Sequence, residues 1–168
     1  MTGSGSGSAP LRASAVGVLG LALAGLAVAP PGLLLVNETP SLPRGVYAPI
    51  PGTPGRGSIV ALPAPPVASA YLRGLGAPAD LQLLKRVAAE GGERVCAGAG
   101  VLRVGARVVP VRRRDRRGDP LPAWDQCRRL AADEILLLGD SATSFDSRYF
   151  GPVRRAELTG PYVRVWGW

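Results

Sequence analysis

The apolar positions divide the chain into two unlike parts. Ala13 to Val36 is a run of 24 residues without a charge, after a Gly/Ser opening and Arg12. About 20 apolar residues cross a bilayer as a helix, so this run predicts one N-terminal transmembrane helix. Pro30-Pro31 breaks the run late, which places the straight helix at about Leu11 to Ala29 and makes Gly32 to Val36 its juxtamembrane continuation. Ala27-Val28-Ala29 has the small-x-small form of a cleaved signal peptide, but Pro30 hinders presentation of that bond in an extended register. An uncleaved anchor is therefore predicted: residues 1–12 a flexible N-terminus, 13–36 the anchor, 37–168 one folded domain.

Beyond Val36 the apolar residues come in short runs between breakers. Gly 23 and Pro 17 make up about a quarter of the chain, which argues for short strands joined by turns. Strands are predicted at Ser58 to Leu62, Leu81 to Val87, Glu134 to Leu138 and Tyr162 to Trp166, with a brief helix over Val67 to Leu75 ended by Gly76 and Pro78. Val101 to Val104 and Arg107 to Val109, joined by Gly105-Ala106, read as a hairpin with a type II′ turn. Pro49 to Pro66 reads as turns and edge strand. The fold class is mainly β: an antiparallel β domain preceded by one transmembrane helix.

Composition removes whole classes of chemistry. With no His, every Ser-His-Asp, Cys-His and imidazole-metal arrangement is excluded. The 20 basic residues are 19 Arg and the single Lys85. Arginine-biased codon usage accounts for the arginines but not for the surviving lysine. Arg stays charged, whereas a buried Lys can lose its proton and act as a base. The net charge of +8 invites a nucleic-acid reading, and the densest run is Arg112 to Pro120. No helix-turn-helix, zinc spacing or aromatic RNA motif accompanies it, so the run reads as a solvated loop, with anionic headgroups its second candidate partner. No nucleic acid, cofactor or metal is expected. Arg12 before the anchor and Arg44 and Arg56 after it leave orientation undecided by charge. Cys96 and Cys127 fit neither a CxxC motif nor a zinc site; they are a candidate disulfide, which would put the domain outside the cytoplasm, or two buried thiols.

Three segments carry the candidate chemistry. The first is Asn37-Glu38-Thr39-Pro40-Ser41-Leu42-Pro43-Arg44-Gly45-Val46-Tyr47. The second is Leu84-Lys85-Arg86-Val87 followed by Gly91-Gly92-Glu93. The third runs from Gly139-Asp140-Ser141 through Ser144-Phe145-Asp146-Ser147-Arg148-Tyr149 to Val153. Taken singly, Ser41 is a turn residue in a Pro-flanked loop, Lys85 a strand surface charge, Asp140 and Asp146 Asx-turn formers, and Ser144 and Ser147 caps. In this order, however, the segments resemble the signal peptidase I superfamily, and in particular its TraF branch of conjugal-transfer pilin-processing peptidases. The match lies in a Ser-x-Pro-x-Gly-x-Tyr run just past the membrane, a Lys-Arg-Val box and a Gly-Asp…Ser-x-Asp-Ser-Arg-Tyr-x-Gly box. Trp124 to Arg128 is similar to the same branch. The chain departs at Gly91-Gly92-Glu93 and at Val104-Gly105. It departs again in a third box that lacks Asn-Arg after Gly-Asp and is one residue shorter before its serine.

The resemblance implies a signal-peptidase-like fold with Ser41 as nucleophile and Lys85 as general base. It also implies that Ser144 hydrogen-bonds the amine, that Thr39 with the Ser41 N–H holds the oxyanion, and that Asp146 and Arg148 form a supporting ion pair. The residues agree chemically: a serine hydroxyl needs a proton acceptor, and without histidine a desolvated lysine is the strongest base left. Leu81, Leu83 and Leu84 beside Lys85 favour its burial. The expected enzyme is a serine endopeptidase of a bacterial inner membrane, single-pass, its catalytic domain on the periplasmic side. Its expected partners are an exported precursor such as a conjugative pilin, the membrane, and conjugation or type IV secretion components. A general signal peptidase and an inactive membrane-tethered scaffold are the alternatives. A self-cleaving repressor is rejected, since an apolar segment stands where a DNA-binding domain would be needed.

Overall fold

The computed structural model describes residues 1–2 and 34–168. The predicted flexible N-terminus and transmembrane helix fall almost wholly outside the described residues. Among those described, no helix is long and apolar enough to cross a membrane. Leu35 and Val36, assigned above to the anchor's continuation, instead form strand β1 (Leu35–Asn37), paired antiparallel with β2 (Gly45–Pro49). Hydropathy alone does not separate an apolar strand from the end of an apolar helix.

The chain then runs through β3 (Ile59–Pro63), helix α1 (Pro66–Gly74), β4 (Gln82–Ala89), β5 (Arg94–Gly98), β6 (Val101–Val104) and β7 (Arg107–Pro110). It continues with β8 (Cys127–Arg129), β9 (Glu134–Leu138), the one-turn helix α2 (Ser147–Phe150), β10 (Val153–Arg154) and β11 (Thr159–Gly167). A seven-stranded sheet has the order β1-β2-β11-β3-β4-β9-β10, and a four-stranded sheet the order β7-β6-β5-β8. Every pairing is antiparallel. At the β6–β7 turn Gly105 has φ +56° and Ala106 does not share the positive sign, as a type II′ turn requires.

Strand β9 shows why the two sheets hold together. Ile135 and Leu137 pack with Val60, Leu62, Leu83, Val87 and the α1 residues Ala68 and Leu72. Leu136 and Leu138 point the other way, onto Val95, Leu102, Val104 and Trp124. Alternate side chains leave a strand on opposite faces, so an unbroken apolar run suits a strand covered on both sides. Each aliphatic side chain so buried contributes about 1.5–3 kcal/mol. A third cluster of Leu42, Tyr47, Ala61, Leu84 and Tyr162 anchors the β1–β2 loop against β3, β4 and β11. Close approach there depends on Gly45: a Cβ on it would lie 2.0 Å from the Trp166 carbonyl oxygen. Cys96 and Cys127, opposite each other in register, are joined by a disulfide that ties β5 to β8.

Candidate active site

The three segments converge on one cavity of about 440 Å³, lined among others by Thr39, Ser41, Leu83, Lys85, Thr143 and Ser144. Ser41 lies on the β1–β2 loop. That loop is closed below by the Asn37↔Gly45 pair and pinned by Leu42 in the core and by the Tyr47 hydroxyl, which donates to the Pro43 carbonyl at 2.6 Å. The Asp140 N–H donates to the Ser41 carbonyl at 2.6 Å, and Arg86 grips the Asp140 carboxylate through two hydrogen bonds of 3.0 and 2.9 Å. Arg86 thus faces away from its neighbour Lys85 and fixes the Ser41 loop from the other surface of β4.

Lys85 shares a strand face with Leu83 and Val87, both members of the helix-side core. It is 4 % exposed. Its ammonium donates to the Leu84 carbonyl at 2.9 Å. Burial drives its pKa from 10.5 down to about 8; Asp146 pulls upward and Arg148 adds to the lowering. Removing a cation from water penalises the charged form, and here that penalty outweighs the nearest carboxylate.

Asn37, which carries no expected role of its own, organises the hydroxyl groups. Its Nδ2 donates to the carbonyls of Thr39, Leu42 and Pro43 at 2.9, 2.9 and 3.3 Å. Three carbonyl partners fix which end of the amide is nitrogen, since only the nitrogen donates. Its Oδ1 must therefore accept, and Thr39 Oγ1 donates to it at 2.9 Å. A hydroxyl has one proton, so in the 2.7 Å contact between Thr39 and Ser41 the donor is Ser41. The Ser41 proton thus points along a chain to Thr39 and on to Asn37. Among the described residues, no hydrogen bond joins Ser41 Oγ to Lys85.

The implied bond from Ser144 to the amine is likewise not formed. Ser144 Oγ is buried without a partner. A buried hydroxyl left unpaired costs about 1–3 kcal/mol, the kind of deficit retained where a group or a rearrangement will satisfy it. Gly139 sets the position of this hydroxyl: a Cβ there would fall 2.2 Å from Ser144 Oγ and 2.8 Å from the Ser41 carbonyl. Its φ is not in the left-handed region, so lack of space alone requires glycine.

Asp146 and Arg148 are a buried, bidentate ion pair, 0 % and 2 % exposed in their side chains, with both contacts at 2.8 Å. Arg148 also donates to the carbonyls of Ser141, Ala142 and Ser144, and to Pro110 of β7. Asp146 caps α2 by accepting from the Arg148 N–H, and its other oxygen accepts from Gly139 N. The pair therefore shapes the loop that carries Ser144. Ser147 accepts from Leu137 N at 2.9 Å and so fastens α2 to β9. Of the site residues, Thr39, Ser41, Lys85 and Ser144 line the cavity, Asp146 and Arg148 support it from behind, and the Cys96–Cys127 disulfide lies away from it in the small sheet.

The arrangement is a nucleophile-type hydroxyl and a desolvated amine in one cleft, without a group of three or more metal-ligating side chains among the described residues. Residues 12–168 match the family model described as signal peptidase, peptidase S26. Two plasmid transfer proteins TraF from Escherichia coli are similar to this chain. One is 34% identical over 136 residues, covering 73% of this chain and 77% of the relative. The other is 32% identical over 164 residues, covering 88% and 92%. A signal peptidase I from Enterococcus faecalis V583 is similar in structure with a TM-score of 0.40 at 22% identity, over 66% of this chain and 97% of that one. A family match across nearly the whole chain, with both relatives above 30% identity, settles the assignment: the chain belongs to the signal peptidase family, peptidase S26, as a TraF-type serine peptidase.

Proposed function

We propose that Ser41 and Lys85 form the catalytic dyad of a membrane-anchored endopeptidase that processes an exported precursor, such as a conjugative pilin. The observation that carries this is Lys85: a wholly buried amine with a pKa of about 8, opening on the same cavity as Ser41. In the neutral form it accepts the Ser41 proton as Oγ attacks the substrate carbonyl. It then delivers that proton to the leaving amine. Water releases the acyl group, or the substrate's own amino terminus does so and closes a ring.

The hydroxyl chain gives the first step a defined trigger. For Ser41 to donate to Lys85, it must release Thr39. For Thr39 to donate to a developing oxyanion, it must release Asn37. Both switches move protons by bond rotation in groups already in place, so the resting chain is a store of donors for the transition state. Ser144, unpartnered at rest, supplies the hydroxyl that holds the reoriented amine.

The setting is read from two further observations. Val36, Val163 and Trp166 are exposed, and register puts Val36 and Trp166 beside Val46 and Val163 beside Ala48, on one face of β1, β2 and β11. An apolar strip with an exposed tryptophan suits a headgroup boundary. The disulfide suits an oxidising compartment, which supports a domain on the outer side of the inner membrane. The TraF relatives are plasmid transfer proteins, which supports a substrate and partners from conjugation or type IV secretion.

The deciding experiment compares the wild type with Lys85→Arg on a tagged pilin precursor. Arginine keeps charge and approximate length but cannot deprotonate, so processing should stop. Retained processing would overturn the dyad. The wild-type rate should climb with pH through about 8, the neutral fraction rising from about a tenth at pH 7 to about nine-tenths at pH 9. A profile flat down to pH 5 would contradict a lysine base. Gly139→Ala should lower kcat/KM by about 100-fold, as displacements near 1 Å at a reacting group do. The control is Gly74→Ala, where a Cβ meets nothing within 4 Å and activity should stay at the wild-type level.

A further inference from the structure

A second cavity, of about 360 Å³, adjoins the first. Pro40, Tyr71, Leu75, Thr143 and Phe145 line both. Pro40 precedes the nucleophile, so a chain bound across Ser41 reaches the second cavity within a few residues, each spanning about 3.3 Å when extended. Its floor is a rigid aromatic stack: Tyr71 on Phe145 with centroids 4.8 Å apart, and Phe145 on Tyr149 at 5.2 Å. Its wall is the arginine run, through Arg112, Arg114, Arg116 and Arg117.

The run is solvent-exposed, as its composition predicts, but it is not a free loop. Asp115 accepts from the Tyr71 hydroxyl at 3.0 Å and from the N–H groups of Arg117 and Asp119 at 2.8 and 2.9 Å. The Asp115 N–H closes the turn on the Asp119 carbonyl, and Leu121 N bonds to the Arg113 carbonyl. The loop is thus tied to α1 and held in one shape at the rim of the cavity.

The charges on this wall do not balance. Arg117 is paired with Asp119 at 3.1 Å, and Asp115, the one carboxylate lining the cavity among the described residues, is already committed to the turn. Arg114 donates to the neutral Gly118 carbonyl. Among the described residues, the guanidinium groups of Arg112 and Arg116 make no hydrogen bond and no ion pair. Guanidinium forks over an aromatic floor match a carboxylate carried on a short apolar stem.

We propose that this cavity is a substrate subsite that takes an acidic side chain within a few residues of the scissile bond. The proposal rests on the peptidase reading for its location beside Ser41. It makes the arginine loop the selector of a precursor whose cleavage region carries Glu or Asp.

The test uses the full-length chain in nonionic detergent and alanine-rich decapeptides with a single Glu, Gln or Lys walked along the sequence. Cleavage by the wild type and binding to Ser41→Ala are both measured. At one position or two adjacent ones, Glu should exceed Lys by about tenfold, and 0.5 M salt should shrink the difference because the wall is partly exposed. Arg112→Glu with Arg116→Glu should invert the preference, which a merely damaged fold would not do. No charge preference at any position, or one indifferent to both arginines, overturns the proposal. So does a loss of cleavage in these variants that appears only on phosphatidylglycerol vesicles and equally for all peptides, which would make the loop a headgroup contact. Charge-selective binding to Ser41→Ala without cleavage by the wild type would uphold the subsite and sink the dyad instead.

Discussion

Replacing Arg148 with methionine should lower the stability of the domain by about 3–5 kcal/mol, the usual result of stranding one member of a buried ion pair. Asp146 would stay fully buried with its charge uncompensated, and four carbonyl oxygens would lose a charged donor at once. Domains are stable by only about 5–15 kcal/mol, so the loss is a large share of the total. Thermal melting should fall by about 10–20 °C. The Arg148 pKa shows which force wins in the intact pair. Burial acts to lower it, but hydrogen bonding to Asp146 and the carboxylate charge outweigh burial and raise it. The double variant Arg148→Met with Asp146→Leu should lose less than the sum of the single variants, because the stranded charge is gone. A single-variant loss under about 1 kcal/mol, or strict additivity, would show that the pair is not what shapes the Ser144 loop.

The parts of this fold legible in the sequence are those whose apolar pattern is local. Ile59–Pro63, Gln82–Ala89 and Glu134–Leu138 announce themselves because their own side chains fill the core. Strands β5 and β8 do not: Cys127-Arg128-Arg129 has no apolar face, and it is a strand because β5 offers it a ladder and a disulfide partner. Helix α2 is too short for any periodicity and depends on the Asp146 cap. The arginine run is legible as solvated but not as anchored, because nothing in its composition reveals the Tyr71 hydroxyl that holds Asp115.

The same division holds at the site. Ser41 and Lys85 stood out through the motifs around them and through the absence of histidine. Asn37, Gly139 and the Arg86–Asp140 pair did not. Asn37 acts through the direction of hydrogen bonds in a folded loop. Gly139 acts through the space its missing side chain leaves. Arg86 and Asp140 meet across 54 residues of chain. Each was within a recognised segment, yet its contribution exists only once the segments are brought together.

Lys85→Met should make the protein both inactive and more stable, and the stability gain should depend on pH in a defined direction. With Lys85 as the proposed base, its loss removes about 10²–10⁴-fold of rate. The stability effect follows from proton linkage. The folded-state pKa of about 8 lies below the ordinary 10.5, so between those values the unfolded chain binds the proton that the folded one has released. Wild-type stability therefore rises with pH across that window, by about 3 kcal/mol in all, and below pH 8 the full penalty of a buried ammonium is present. Methionine fills similar volume without charge, so at pH 7 the variant should be the more stable by up to that amount. Its advantage should shrink as pH climbs from 8 through 10.5, above which the wild-type amine is neutral in both states. Denaturant midpoints for the two proteins at pH 7 and pH 10 measure this directly. An unchanged gap would mean that Lys85 keeps an ordinary pKa and is open to water. A gap that closes would tie the sole lysine's instability at neutral pH to the feature that fits it for proton transfer: an amine held where its charge is disfavoured.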